Sequence, residues 1–304
     1  MKILVTGSKG QLGSELRELS GDFPEFSFLY TDVEELDITN ALNVDAYFAE
    51  NKPDAVINCA AYTAVDNAET DETPANLINA TAVRILAQAA AAHKALLVHI
   101  STDYVFDGKG FVPYQETDAT NPVSAYGRTK LAGEQAVYQY ASRAVIFRTS
   151  WLYSAFGNNF VKTMLKYGTE RTSMNIVFDQ IGTPTYALDL ANTILILLPQ
   201  AVKNNSVELY HFSNEGVASW YDFAKAIMEF SGLSCKMNPI ETKDYPLPAT
   251  RPFYSVLNKS ALKQKFAIEI PYWRDSLKHC MSRLEHVKKS IIELDEADPE
   301  DLLA

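Results

Sequence analysis

The sequence is poor in cysteine. Its three cysteines, Cys59, Cys235 and Cys280, lie far apart and are odd in number. This pattern predicts neither a disulfide framework nor a cysteine-based metal site. Free cysteines are typical of a reducing compartment, so we expect a cytoplasmic protein.

Basic residues and long apolar runs are also scarce. The chain has 27 Lys and Arg against 38 Asp and Glu, a formal net charge of −11, whereas nucleic-acid affinity rests on basic groups that neutralise phosphates. Runs such as TILILL at 193–198 are far shorter than the ~20 residues of a membrane helix. The opening MKILVTG lacks the pattern of a signal peptide. We expect no nucleic-acid partner, no membrane partner and no export. A local basic pocket that binds one nucleotide is still compatible with this composition.

The first half of the chain alternates short apolar segments with segments of helical period. Such alternation predicts an α/β fold with a doubly wound parallel sheet, a Rossmann fold. Candidate strands lie at 2–6, 26–31, 55–58, 96–101 and 145–149, and candidate helices at 12–19, 40–51, 75–92 and 126–142.

The alternation is looser beyond residue 150. Helices are predicted near 156–167, 187–198, 219–231 and 271–283, and short strands near 174–178 and 207–212. We expect a dinucleotide-binding domain over 1–150 and a smaller α/β domain, mainly for substrate, over 151–290, with some segments returning to the first domain. Residues 291–304 are predicted to form a frayed acidic tail.

A glycine-rich turn follows the first candidate strand, in the segment TGSKGQLG at 6–13. Gly7, Gly10 and Gly13 allow a tight turn, close approach of the backbone to a pyrophosphate, and close packing of helix on strand. A glycine-rich turn used only for packing is the weaker alternative, because the strand-turn-helix context is that of a dinucleotide site.

Acidic residues follow the second candidate strand. Asp32 lies 32 − 13 = 19 residues after Gly13, near the ~20-residue offset of an acid that holds the adenosine ribose. An acid at this position favours NAD over NADP. An aspartate that serves only as a turn residue would give the same sequence pattern. Asp37 and Ile38 sit where a short additional strand would bring them near the adenine, and capping of the next helix by Asp37 or Thr39 is an equal alternative.

Small and polar residues follow two later candidate strands. Ala60, Ala61 and Thr63 come after 55–58, where small side chains let a cofactor lie against the sheet, though core packing also selects them. Thr102, Asp103 and Tyr104 come after 96–101, at the edge where open α/β sheets bind ligands. Alone, such residues are more often turn or cap residues.

Tyr126 and Lys130 lie four residues apart at the start of a candidate helix. They project from one helix face, about 6 Å apart at their Cβ atoms. A phenol donates a proton to a developing alkoxide better when a nearby cation favours its ionised form. In isolation this pair predicts an exposed helix face. After the glycine-rich turn and Thr102, it predicts the proton-donor site of a ketone reductase.

These motifs together resemble the extended short-chain dehydrogenase/reductase family, and within it the nucleotide-sugar reductases. The resemblance rests on TGSKGQLG (6–13), STDYVFDG (101–108) and YGRTKLAGE (126–134), and extends to NCAAYTAVDNAE (58–69), FRTSWLY (147–153), GNNFVKTML (157–165), DQIGTPTY (179–186) and ATRPFYSVL (249–257). It spans almost the whole chain.

The resemblance implies hydride transfer from NADPH or NADH to the C4 ketone of dTDP-4-dehydro-6-deoxy-L-mannose. It implies that Tyr126 donates the proton, that Lys130 binds the nicotinamide ribose and tunes Tyr126, and that Thr102 and Asp103 contact the sugar. The positions that match the family's cofactor site are Gly10, Gln11, Leu12, Asp32, Asp37, Ile38, Ala60, Ala61 and Thr63.

Four further substrate contacts are expected. The resemblance places Trp151 beside the sugar, with Tyr104 and Asn159 among the substrate residues. Arg251 is our own candidate for the substrate pyrophosphate, because a guanidinium matches phosphate geometry with paired donors.

One segment departs from the resemblance. Some members of the family dimerise through Mg²⁺ bound by glutamates just after the Gly-x-Pro-Thr segment, whereas this chain has Tyr186, Ala187, Leu188 and Asp189 there. We therefore expect no metal site, and a monomer or a weak homodimer.

Two alternatives keep the fold. A regulatory subunit would bind nucleotide without turnover, but it has no need of Thr102, Tyr126 and Lys130 together. An epimerase or dehydratase is the other, and a dehydratase would carry an Asp-Glu pair where this chain has Asp103 and Tyr104.

Overall fold

The fold, obtained as a computed structural model, is described for residues 1–296. Its strands are β1 (Lys2–Thr6), β2 (Ser27–Thr31), β3 (Ala55–Asn58), β4 (Leu96–Thr102), β5 (Ala144–Thr149), β6 (Leu152–Tyr153), β7 (Ser173–Val177), β8 (Ile181–Gly182), β9 (Thr185–Tyr186), β10 (Val207–His211), β11 (Ala218–Ser219) and β12 (Lys236–Ile240). Its helices are α1 (Gln11–Leu19), α2 (Ala41–Asn51), α3 (Val65–Thr70), α4 (Glu72–Asn76), α5 (Ala82–Ala92), α6 (Ala125–Tyr140), α7 (Phe160–Glu170), α8 (Ala187–Ala201), α9 (Trp220–Ser231), α10 (Ser260–Phe266) and α11 (Trp273–Glu296).

A six-stranded parallel sheet forms the centre, in the order β10-β5-β4-β3-β1-β2. Side chains alternate across it: Ile3 and Val5 pack in the cluster that includes α1 and α8, and Leu4 in the cluster that includes α2 and α5. Helices therefore cover both faces, and the predicted doubly wound parallel sheet is confirmed.

The register of the sheet brings functional candidates to one edge. Thr6, at the end of β1, lies beside Asn58 at the end of β3. Thr102, at the end of β4, lies beside Thr149 at the end of β5. All these strands are parallel, so the segments that follow them meet at the carboxyl edge.

The prediction of an additional strand at 37–38 is wrong. Residues 33–40 form turns before α2, because the Asp37 carboxylate accepts hydrogen bonds from the Thr39 backbone N–H at 2.9 Å and from its hydroxyl at 2.7 Å. The side chain of Asn40, not of Asp37 or Thr39, caps α2.

The second half of the chain builds smaller pieces and also returns to the main sheet. β10 pairs in parallel with β5, and β7 pairs with β12, a strand that the sequence did not predict. α7 begins at Phe160, four residues later than predicted, because Asn159 caps it and Gly157 takes a positive φ of 61°.

The last helix is longer than predicted. α11 continues to Glu296, beyond the end near residue 283 that the sequence predicted. The acidic tail over 291–304 stays a prediction, and its residues 297–304 lie outside the described chain. Along residues 1–296, no helix combines the length and apolarity needed to cross a membrane.

Candidate active site

Two neighbouring cavities open at the carboxyl edge of the sheet. One, of about 460 Å³, is lined by Tyr126 and is called the Tyr126 cavity. The other, of about 470 Å³, is lined by Asp32 and is called the Asp32 cavity. Gly10, Cys59 and Ala61 line both, so the two cavities adjoin along the ends of the strands.

The sequence-predicted residues divide between these cavities. Those that line the Tyr126 cavity are Gly10, Gln11, Leu12, Ala61, Thr63, Thr102, Asp103, Tyr104, Tyr126, Lys130 and Trp151. Those that line the Asp32 cavity are Gly7, Gly10, Asp32, Asp37, Ile38, Ala60 and Ala61. Gly13, Asn159 and Arg251 line neither.

The glycine-rich turn has no space for side chains. Gly7 has a φ of +65°, and a Cβ there would lie 2.6 Å from the backbone nitrogen of Ala60. A Cβ on Gly13 would lie 2.6 Å from the carbonyl oxygen of Gly7, so α1 packs closely against the turn at this position. Among the described residues no side chain caps α1 at Gly10, so the first-turn N–H groups are available to an anion.

The Asp32 cavity has an acidic rim. The Asp32 carboxylate accepts hydrogen bonds from the backbone N–H groups of Lys9 at 3.1 Å and Val33 at 2.9 Å. The Lys9 ammonium, which also lines the cavity, pairs with Glu34 at 2.7 Å. Asp32 therefore stands where an acid can accept from ribose hydroxyls.

A residue outside the sequence predictions holds the loop at Ala60–Thr63. Asn79 is fully buried in a π-helical turn, Leu77–Thr81, between α4 and α5. Its side chain accepts from the N–H of Tyr62 at 2.9 Å and donates to the carbonyl of Tyr62 at 3.0 Å and to the hydroxyl of Thr129 at 3.1 Å. Asn79 thereby ties the loop that lines both cavities to α6.

Lys130 is buried beneath the Tyr126 cavity. It is 2% exposed, and its ammonium donates to the carbonyl of Ile100 at 2.6 Å. Burial lowers the pKa of Lys130 to about 8, and the nearby carboxylate of Glu134 opposes this shift. The side chain is therefore mostly charged at neutral pH and fixed in direction.

Tyr126 is held as a neutral phenol. Burial raises its pKa to about 12, against a hydrogen bond with Thr102 that lowers it, while the charge of Asp103 raises it further. The Tyr104 ring stands edge-on to the Tyr126 ring at 5.5 Å between centroids. A phenol protonated at neutral pH is the form that a proton donor requires.

Asp103 is buried beside these groups and is 2% exposed. One carboxylate oxygen accepts from the Thr102 hydroxyl at 2.9 Å, while Oδ2 has no partner among the described residues. Burial raises the pKa of Asp103 to about 6, while the nearby Ser255 hydroxyl and the hydrogen bond from Thr102 act in the opposite direction. A buried acceptor that lines a cavity suits a ligand hydroxyl.

A buried ion pair lies behind Lys130. The Glu134 carboxylate accepts from Arg148 at 2.9 Å and 2.7 Å, and also from the Ser101 hydroxyl. Glu134 and Arg148 are 1% and 4% exposed. The pair joins α6 to β5 and β4 directly below the residues that line the cavity.

Trp151 lines the Tyr126 cavity together with Trp220, which the sequence analysis did not select. Their rings stack with centroids 3.7 Å apart and planes at 10°. Trp220 is the first residue of α9, and an aromatic residue at a helix start carries no signal for a contact so distant in sequence.

Asn159 and Arg251 are engaged within the protein. Asn159 caps α7 and donates to Gln11 Oε1 at 3.1 Å, so it positions a residue that lines the Tyr126 cavity. Arg251 makes two hydrogen bonds to Asp66, at 3.0 Å and 2.7 Å. The pair is partly buried, with side chains 21% and 32% exposed.

Among the side chains that the structure describes, residues 1–284, no cluster of three or more His, Cys, Asp or Glu could hold a metal ion. The carboxylate of Asp189 instead accepts from Asn214 at 2.6 Å and from Ser276 at 2.5 Å.

A family model described as RmlD substrate binding domain matches residues 1–286. That stretch contains every residue of the two cavities. The chain belongs to the RmlD substrate-binding-domain family. The family resemblance drawn from the sequence motifs is thereby confirmed.

Proteins similar to this chain align with it over nearly its whole length. A dTDP-4-dehydrorhamnose reductase of Escherichia coli K12 is 40% identical over 295 residues, which cover 93% of this chain and 98% of that protein. The structure of one from Clostridium acetobutylicum has 44% identity and a TM-score of 0.89, covering 94% of this chain and 100% of that chain. The structure of one from Bacillus anthracis, in complex with NADP, has 38% identity and a TM-score of 0.87, covering 93% and 99%.

Proposed function

We propose that this chain is an NADPH- or NADH-dependent reductase of the C4 ketone of dTDP-4-dehydro-6-deoxy-L-mannose, with dTDP-L-rhamnose as product. The observation that carries the proposal is the meeting of Tyr126, Lys130 and Thr102 in one cavity, adjoining a second cavity lined by Gly7 and Asp32. Relatives matched over nearly their full length are named dTDP-4-dehydrorhamnose reductases.

The residues of the two cavities fit a dinucleotide. Gly7 and Gly10 carry no side chain that would keep a ligand from their backbone, and the N–H groups in the first turn of α1 are available to a pyrophosphate. The carboxylate of Asp32 lines the adjoining cavity. When bound, the nicotinamide supplies the hydride. Gln11, Leu12, Asp37, Ile38, Ala60, Ala61 and Thr63 complete the proposed cofactor contacts.

Tyr126 donates the proton that balances hydride addition. The carbonyl carbon gains the hydride, its oxygen takes the phenol proton, and the Tyr126 phenolate is stabilised by the Lys130 ammonium and the Thr102 hydroxyl. Burial keeps Tyr126 protonated until the oxygen becomes basic. Solvent then restores the proton.

The substrate is held on the other side of the same cavity. Asp103, with its unpaired Oδ2, and Thr102 contact the sugar, with Tyr104 and Trp151 as the walls. Arg251 is assigned to the pyrophosphate, with the guanidinium N–H groups not used by Asp66. Asn159 contributes to the substrate site from the start of α7.

The proposal includes a division of the chain and a setting. Residues 1–150 bind the dinucleotide and residues 151–290 mainly the nucleotide sugar, with β10 returning to the first part. The enzyme acts in the cytoplasm as a monomer or weak homodimer, without Mg²⁺.

The test is an absorbance assay at 340 nm with enzymatically generated dTDP-4-dehydrorhamnose, run separately with NADH and with NADPH. Oxidation of at least one cofactor is expected, and no oxidation of either would overturn the proposal. Tyr126→Phe should lower kcat by about 10²- to 10⁴-fold, with cofactor affinity by titration near that of the natural chain. An active Phe variant would remove Tyr126 as proton donor.

A further inference from the structure

The stacked pair Trp151 and Trp220 forms one wall of the Tyr126 cavity. The two indoles lie 3.7 Å apart between centroids, nearly parallel, and both line the Tyr126 cavity. Trp151 directly follows β5 of the main sheet, and Trp220 begins α9. The wall is thus formed by two separate parts of the chain.

The backbone of Trp151 is strained. Its φ is +49°, a left-handed conformation that is unfavourable for a bulky residue. Its carbonyl accepts from the N–H of Thr185 at 3.2 Å. Gly182 lies beside the ring, since a Cβ there would be 2.7 Å from Trp151 Cε2. A strained residue persists only where its surroundings hold it.

Trp220 is itself fixed by its neighbours. Its ring packs against Phe160 at 4.7 Å between centroids. The preceding residue, Ser219, forms a reciprocal cap with Asp222 at the start of α9. In addition, β11 pairs with β8 so that Ala218 lies opposite Gly182. This short ladder therefore fixes Gly182, which lies beside the Trp151 ring, next to the chain segment that leads into Trp220.

We propose that Trp220 is a positioning residue for substrate binding, which holds Trp151 in its strained conformation as a rigid wall against the C–H face of the sugar. Aromatic faces cover apolar C–H groups, and stacked aromatic pairs add stability beyond buried area. This inference rests on the proposed function and assigns a role to Trp220 within it.

The first test separates the sugar from the cofactor. Trp220→Ala should raise KM for the nucleotide sugar by roughly tenfold, with KM for the cofactor and kcat changed less than about twofold. Trp220→Phe, which keeps an aromatic face, should recover most of the affinity. Trp220→Leu, which fills volume without a flat face, should resemble Trp220→Ala.

Trp273 provides the matched control. It is 3% exposed, belongs to the same apolar cluster, and does not line the Tyr126 cavity. Trp273→Phe should leave both KM values unchanged, whatever it does to thermal stability. Equal changes in the two KM values for Trp220→Ala, or the same sugar-specific change for Trp273→Phe, would overturn the inference.

A spectroscopic measurement covers the case of a poorly folding Ala variant. The chain has three tryptophans, and two indoles stacked this closely couple in the far-ultraviolet circular dichroism spectrum. The coupled signal should be lost in Trp220→Phe and Trp151→Phe and kept in Trp273→Phe; its survival in Trp220→Phe would contradict the stack. An inactive natural chain would instead count against the proposed function. An active natural chain whose Trp220→Leu variant keeps an unchanged KM for the sugar would count against this inference alone.

Discussion

At the scale of single residues, burial sets the charge of the groups around the reacting carbonyl. Lys130 and Asp103 are buried and Tyr126 is partly buried, and burial is the largest influence on the pKa of each. Burial disfavours the charged form, so it lowers the pKa of the lysine and raises the pKa of the tyrosine and the aspartate. The phenol therefore stays protonated across the neutral range, while the lysine approaches its titration.

The activity should fall on the alkaline side as Lys130 loses its proton. Below its pKa of about 8 the ammonium is present, and above it the charge that stabilises the Tyr126 phenolate is lost. We expect kcat/KM to fall about tenfold per pH unit well above pH 8. Tyr126 has a pKa of about 12 and His99 one well below its usual value, so neither accounts for that limb.

The measurement is a pH profile of kcat/KM from pH 5.5 to 9.5, with stability checked at each end. Lys130→Arg, whose guanidinium stays charged over this range, should remove the alkaline limb in whatever activity remains. A flat profile to pH 9.5 in the natural chain would contradict the assignment.

Sequence spacing located the reacting residues better than it located the residues that hold them in position. Tyr126 and Lys130 are one helical turn apart, so their juxtaposition follows from local geometry. The contact of Arg251 with Asp66 joins residues separated by 185 positions, and the Trp151–Trp220 stack likewise depends on tertiary packing. Spacing carries no information about such pairs.

At the scale of elements, the π-helical turn Leu77–Thr81 places a side chain where a regular helix would not. Apolar period predicted one helix over 75–92, whereas α4 and α5 are joined by this turn. A Cβ on Gly133 of α6 would lie 2.2 Å from the carbonyl oxygen of Asn79. The π-helical turn thus arises from close packing against α6. The hydrophobic periodicity of the sequence does not predict such a contact.

Replacement of Asn79 should loosen the cofactor loop. In Asn79→Ala the part-buried N–H and carbonyl of Tyr62 lose their side-chain partner, and each such hydrogen bond contributes about 0.5–1.5 kcal/mol to stability. We expect lower stability in urea unfolding and weaker cofactor binding by titration. Asn43→Ala, on the exposed face of α2, is the control; an equal loss in both variants would rule out the specific role.

The loop that carries Arg251 is where substrate phosphate is expected. Arg251→Ala should raise KM for the nucleotide sugar about tenfold or more, because charged hydrogen bonds are worth about 1.5–3 kcal/mol, and leave cofactor affinity unchanged. Asp66→Asn separates this role from the ion pair, since it weakens the Asp66 contact and keeps the guanidinium. Equal effects of Arg251→Ala on both ligands would refute the assignment.

At the scale of the whole molecule, one ion pair joins the first helix to the last. The Arg283 guanidinium on α11 donates to Glu15 on α1 at 2.8 Å and to the hydroxyl of Tyr186 at 2.6 Å. Glu15 is fully buried and also accepts from Ser154 at 2.6 Å. The start of the dinucleotide site is thereby tied to the end of the described chain.

Breaking this tie should destabilise the whole fold. Arg283→Ala leaves the buried Glu15 without its cation, at a cost of about 3 kcal/mol in the free energy of unfolding. Urea unfolding is the measurement, with Lys278→Ala on the exposed side of α11 as the control. A change within about 0.5 kcal/mol, as for ordinary surface substitutions, would show that the tie is dispensable.

The strands of the first half of the chain could be predicted from the sequence more completely than those of the second half. The strands β1 to β5 were predictable from their apolar runs. The runs of β1, β3, β4 and β5 are buried on both faces, and that of β2 is partly buried. In the second half, β8, β9 and β11 are two residues long, too short to show any period. Their pairing depends on contacts with distant segments.

The position of β10 has a consequence for synthesis. β10 completes the sheet beside β5, yet it leaves the ribosome only after residues 150–206. Until then β5 presents a row of unpaired backbone groups, which is a template for pairing with another chain. The delay between translation of residues 149 and 211 therefore sets how long each nascent chain is open to misassembly.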